Sequence, residues 1–307
     1  MLRSMDARKL FFDDKRHLRS GWRLCLFVVA FYICSTLTFI LLLGGMGPVL
    51  RRPVAELANS DLVFILGHGS ILISAALVGW GCGRLFEQLP FRALGCSLRP
   101  GWLKDLGIGS ALGAASLLLA ALLATVTRGV HFSLNQVSTG AIGKTLAISA
   151  LVFVFAAAAE EMLFRGYPLQ TLTRANLAWL GVFLTSVPFA AAHLNNPHVV
   201  PGLTFLNTAL AGVWLASAYL RTRRLWLPLG LHWSWNWAQA SLLGLPVSGI
   251  NRIAPAPLLH AMNSGPDWLT GGAYGIEGGA ACTIALLVST VVIWRWKLIT
   301  RANVPQA

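Results

Sequence analysis

The sequence predicts an all-α fold: a polytopic integral membrane protein of about eight transmembrane helices. Three observations carry that prediction. Of 307 residues, 56% are hydrophobic and only 11% are charged, whereas a soluble domain carries about a quarter charged residues. A surface so poor in charge takes lipid as its solvent. Eight apolar stretches, at about 23–43, 62–86, 104–127, 146–165, 178–193, 203–220, 225–243 and 279–297, reach or approach the roughly 20 residues that span about 30 Å of hydrocarbon. The basic residues, finally, are divided unevenly among the connections.

Taken in order, the first stretch follows Met1–Arg23, which holds seven Lys or Arg, and no small-residue cleavage site closes it. It is therefore read as a permanent anchor rather than a signal peptide. The fourth stretch ends in charge and the fifth is short, so their limits are the least sharply drawn. The longest connection, about 246–278, is rich in Gly and Pro. Residues 1–22 form a basic N-terminal tail, 23–297 one helical membrane domain, and 298–307 a C-terminal tail.

The formal net charge of +13 raises the question of nucleic acid. The Lys and Arg sit in short clusters between apolar runs, not in a stripe interleaved with aromatics, so no nucleic-acid partner is expected. With eight spans, the two tails and the even-numbered connections hold 19 of the 24 Lys and Arg. The odd-numbered connections hold the other 5. That asymmetry places both termini in the cytoplasm, and an odd number of spans would erase it. The five cysteines (Cys25, Cys34, Cys82, Cys96 and Cys282) form no CxxC pair and read as small hydrophobes without a disulfide framework.

A charged side chain at the centre of a membrane helix costs on the order of 3 kcal/mol, so polar residues within these stretches are informative. The first group is Ala156–Gly166, where Glu160 and Glu161 close a run of four alanines. On a helix, Glu161 and Arg165 lie one turn apart and can pair, while Glu160 is rotated by about 100° and can face a cavity. The competing reading is a helix end emerging into water. The second group is Phe189–His193, with Pro188 just upstream. The third is His232–Trp237, in which His232 and Asn236 share a helical face; here the tryptophans could instead mark an interfacial belt. His68 has no polar partner in sequence and reads as structural, and Asn207 as a hydrogen-bonding support.

Together, a carboxylate pair, two histidines and an amide on three apolar spans offer a general base, proton carriers and a donor for a developing oxyanion. They also approach a two-histidine-plus-carboxylate zinc set. Either way the chemistry is attack by activated water on a carbonyl.

These motifs, Glu160-Glu161-x-x-x-Arg165, Phe189-x-x-x-His193 and His232-x-x-x-Asn236 in that order, resemble the CAAX protease and bacteriocin-processing (Abi) family, which includes the Ras-converting prenyl-protein endopeptidase. The Asn195–Pro197, Gly244–Gly249 and Thr270–Gly279 segments are similar to bacterial members, which points to the bacterial inner (plasma) membrane and away from a prenylated substrate. The resemblance implies an intramembrane endopeptidase with its protease-like core at about 104–245 and a cavity open toward the cytoplasm. Its substrate would be a membrane-associated protein or peptide. Glu160 would activate water with help from His193, His232 and Asn236 would steady the oxyanion, and Glu161 and Arg165 would hold the first motif in shape. The first motif would then sit at a cytoplasmic helix end. The family has been described both as zinc-dependent and as metal-free. An asparagine in place of a third strong ligand makes a poor zinc site, which favours the metal-free reading, with no cofactor. Two other readings stay open: a non-catalytic scaffold or bacteriocin-immunity-type protein, and a transporter, for which the sequence shows no inverted repeat.

Overall fold

The computed structural model describes residues 8–14, 16–51, 61–199, 202–297 and 299. The start of the N-terminal tail and nearly all of the C-terminal tail lie outside them. Each of the eight apolar stretches is a helix. We number them α1 (Ser20–Leu50), α2 (Asp61–Glu87), α3 (Trp102–Val126), α4 (Thr139–Glu161), α5 (Ala178–Ala192), α6 (Leu203–Thr222), α7 (Trp226–Trp237) and α8 (Ala280–Arg295). Among the described residues, five helices are long and apolar enough to cross a membrane: α1, α2, α3, α6, and α4 taken with its continuation. Helices α5 and α8 are shorter and apolar, and α7 is prolonged by a π-helical turn at Ala238–Leu242. The chain is an all-α polytopic membrane protein.

Helix α4 departs from the expectation most. It does not end at its charges. It passes through a π-helical turn, Met162–Gly166, into a further helical segment, Tyr167–Arg174, so that 36 residues run on as one rod. The motif thought to mark a helix end therefore lies inside a helix. The misreading has a physical cause: Glu161 and Arg165 neutralise each other within the bundle and need no water.

Two apolar clusters organise the helices. One joins α3, α6, α7 and α8 through residues such as Leu117, Trp214, Leu231 and Ala285. The other joins α1, α2 and α4 through Phe27, Ala75, Met162 and the Tyr167–Leu169 segment. In the first, α3 and α7 meet backbone to backbone. A Cβ on Gly109 would strike the carbonyl oxygen of Leu227, one on Gly113 that of Leu231, and one on Gly230 that of Leu106. Lipid provides no hydrophobic drive between helices, so small residues that permit such approach supply the packing energy.

Outside the helices, β1 (Val130–Leu134) and β2 (Leu259–Asn263) pair antiparallel, Val130 opposite Asn263 and Leu134 opposite Leu259. This ribbon ties the α3–α4 connection to the long connection before α8. Within that connection, Gly271 and Gly275 adopt φ of 81° and 102°, conformations open to glycine without strain. They fold Thr270–Gly279 tightly enough for Asn207 to donate to the carbonyl oxygens of Glu277 (2.9 Å) and Gly279 (2.8 Å).

Candidate active site

Between the two clusters lies a cavity of about 290 Å³ lined by α2, α4, α5, α6, α7, α8 and the 247–253 segment. Its walls are mainly apolar, with Phe64, Phe153, Phe164, Phe189, Trp214 and Trp235 among them. The polar lining consists of His68, Glu160, His193, Asn196, Asn207, Thr208, His232, Asn236, Ser248 and Glu277.

The first motif divides as its spacing requires. Glu161 and Arg165 turn away from the cavity into the protein, where their side chains are 1% and 0% exposed. Arg165 Nη1 donates to Glu161 Oε1 at 3.0 Å and Nη2 to the carbonyl oxygen of Gly212 on α6 at 3.1 Å. The guanidinium also lies 4.8 Å from the ring centre of Phe189. Helix α6 reaches this position because Gly212 lacks a side chain: a Cβ there would come within 2.8 Å of the Cα of Ser186 on α5. Of the alanines before the motif, Ala156, Ala157 and Ala159 are buried, the last two completely, and they admit α2 and α7 alongside.

Glu160 faces the cavity. Its Oε1 lies 3.6 Å from His68 Nε2 and its Oε2 lies 3.7 Å from His232 Nε2. Glu160 Oε2 is buried and accepts no hydrogen bond from the protein. The imidazoles around it are held by their other nitrogens. His232 Nδ1 lies 2.9 Å from Glu161 Oε1, His193 Nδ1 2.7 Å from the carbonyl oxygen of Phe189, and His68 Nδ1 2.8 Å from that of Phe64. A carbonyl oxygen can only accept, so Nδ1 of His68 and of His193 carries a proton, and in the neutral rings Nε2 presents its lone pair. Asn236 lines the cavity one turn beyond His232. The indole N–H groups of Trp233 and Trp237 in this motif donate to the carbonyl oxygens of Ala150 and Leu146, fastening α7 to α4.

Thus Glu160, His193, His232 and Asn236 line one cavity, while Glu161 and Arg165 brace it from behind. Two contributors escaped sequence reasoning. His68 is not a bystander, since it stands beside Glu160. The available signal was the cost of a buried imidazole in an apolar span, which calls for a partner elsewhere in the fold. Glu277 was the other. Its Oε2 accepts from the backbone N–H and the hydroxyl of Ser248, joining two segments whose meeting no local pattern announces. Glu277 lies in a connection, and burial pushes its carboxyl above the usual carboxylate range despite the donations from Ser248.

Among the described residues, no group of three or more His, Cys, Asp or Glu is arranged to hold a metal ion.

The fold and site define a class, all-α membrane proteins with a carboxylate and three imidazoles around one apolar cavity. Comparison with known proteins narrows it. Residues 141–238 match the family model described as type II CAAX prenyl endopeptidase Rce1-like, bearing out the resemblance carried by the motifs. The matched stretch contains all six residues singled out from the sequence and stops short of His68 and Glu277. The chain is also 25% identical over 203 residues to an Escherichia coli protein described as an uncharacterised 24.3 kDa protein, covering 64% of this chain and 86% of that one. No solved structure matches. The match supports a membrane peptidase of the CAAX type acting on a membrane-associated substrate.

Proposed function

We propose that this chain is an intramembrane endopeptidase that hydrolyses a peptide bond of a membrane-associated protein or peptide through water activated by Glu160. The observation that carries the reading is the orphaned Oε2 of Glu160, a buried acceptor aimed into a cavity ringed by imidazoles. A water entering there finds in it the strongest acceptor.

Glu160 takes the proton from water as the oxygen attacks the carbonyl carbon. His232 then has to donate from Nε2 to the developing oxyanion, which requires its imidazolium form. The Glu161 carboxylate 2.9 Å from Nδ1 stabilises that form, as a buried acid does for an imidazole in other hydrolytic sites. The Asn236 amide adds a second donor. His193, with its Nε2 lone pair free, relays a proton from Glu160 toward the leaving amine. His68 borders the other oxygen of Glu160 and fixes its orientation. The charge distribution supports cytoplasmic termini, and the likeness to bacterial members supports insertion in a bacterial inner membrane.

The test compares membrane fractions from cells carrying the wild type or Glu160→Gln. A polypeptide that accumulates uncut with the variant, at equal levels of inserted protein, supports proteolysis. Unchanged cleavage overturns it, and an unchanged cellular phenotype would favour a scaffold instead.

A further inference from the structure

The cytoplasmic termini expected from the charges and the cytoplasmic mouth expected from the family resemblance exclude each other in this fold. The bundle has two distinct ends. At one, the start of α1 meets the end of α2 and the end of the α4 rod: Arg23 lies 3.1 Å and Arg174 2.9 Å from Glu87. The α6–α7 connection joins the same end, through Arg224 at 3.6 Å from Asp105. So does the last helix, because Arg221 donates to the carbonyl oxygen of Trp296. This end gathers the termini and is closed by ion pairs.

The cavity lies toward the other end. Its lining comes from the first turns of α2 and α8, the first half of α6, the last turn of α5, the middle of the 36-residue α4 rod, the second half of α7, and the 247–253 segment. None of it comes from the connections at the ion-paired end. The connections at the cavity end hold few basic residues, and the Lys and Arg concentrate at the terminal end. Positive charge is retained on the cytoplasmic side.

We infer that the cavity opens on the non-cytoplasmic face of the membrane, so that the substrate is a polypeptide segment presented from outside the cytoplasm. This rests on the reading of the site as a peptidase, but the orientation is testable without it. Two connections offer exposed positions, Asn195 at the cavity end and Asn176 at the other. Asn195→Cys and Asn176→Cys are each placed in a background with the five native cysteines replaced by serine. Cells with a permeabilised outer membrane are treated with a membrane-impermeant maleimide, then lysed and treated with a second, distinguishable one.

The expected result is that Asn195→Cys reacts before lysis and loses its later labelling, while Asn176→Cys reacts only after lysis. The reverse pattern, or protection of both until lysis, overturns the inference. Should the serine background fail to insert, a reporter domain inserted at Asn195 that is active only outside the cytoplasm replaces the labelling, and its inactivity overturns the inference. Adding Glu160→Gln must leave either readout unchanged, so a failed orientation and a failed peptidase reading are told apart.

Discussion

His68 Nε2 stands 3.6 Å from one oxygen of Glu160, while the other oxygen of the same carboxylate faces His232 at 3.7 Å. The acid is thus clasped between α2 and α7, and each imidazole limits how far it can turn. Replacing His68 with Ala should lower turnover by less than the loss caused by Glu160→Gln, which as removal of a general base is expected to reach about 10²–10⁴-fold. A positioning role further requires the pH profile of kcat to shift in His68→Ala and to recover in part in His68→Gln. An unshifted profile with merely less folded protein would assign His68 to packing alone.

Removing Arg165 should be among the costliest single changes in the molecule. Its guanidinium neutralises Glu161 with both side chains almost fully enclosed, and breaking a buried pair from one side costs about 3–5 kcal/mol. Arg165→Met should unfold at markedly lower denaturant in detergent. The double variant Glu161→Gln/Arg165→Met should lose less than the two single losses together, because no uncompensated charge remains. Additivity of the two would show that they do not act as a pair.

Gly113→Ala should destabilise the α3–α7 contact by at least about 1–3 kcal/mol, the usual cost of overpacking. The added methyl would meet the backbone of Leu231 and the hydroxyl of Ser234, and backbone cannot swing aside as a side chain can. Gly107→Ala on the same helix has open space and should be neutral or slightly stabilising by helix propensity. Thermal unfolding of the two variants separates the effects.

Stability should fall with rising pH as the buried Glu277 ionises, because burial penalises its charged form more than the donations from Ser248 favour it. Burial raises the Glu277 carboxyl, so the folded protein holds this proton more tightly than the unfolded chain does. Its contribution to stability is full below the ordinary Glu value of about 4.3 and is lost as pH rises through the raised value. Glu277→Gln should flatten this part of the stability profile, measured by thermal unfolding across mildly acidic to neutral pH. An equally steep profile in the variant would assign the dependence to another group.

Much of the fold could be read directly, because lipid leaves few solutions: all eight helices lie where apolar runs of the right length predict them. The chemistry was legible for a related reason. Glu160, His193, His232 and Asn236 are polar where polarity is expensive, and all four line the cavity. What stayed hidden depended on partners distant in sequence. His68 read as structural because its neighbour, Glu160, is distant in sequence. The charges of Glu161 and Arg165 imitated a helix end because sequence alone does not show that α6 encloses the pair their spacing allows. The β1–β2 ribbon and the Glu277–Ser248 link join segments with no local signal, and the side on which the cavity lies emerged only when the ends of all the helices were sorted.

The π-helical turn at Met162–Gly166 carries a consequence for the history of the site. A π-turn holds one more residue than ordinary winding requires and most often occurs beside functional groups. Losing a single residue there would return α4 to ordinary winding and leave the segment beyond it facing as before, so Arg174 would keep Glu87. Only the turn itself would rearrange, and Arg165 lies within it. A one-codon deletion would thus spare the helix and its anchor while disturbing the brace on the Gly212 carbonyl.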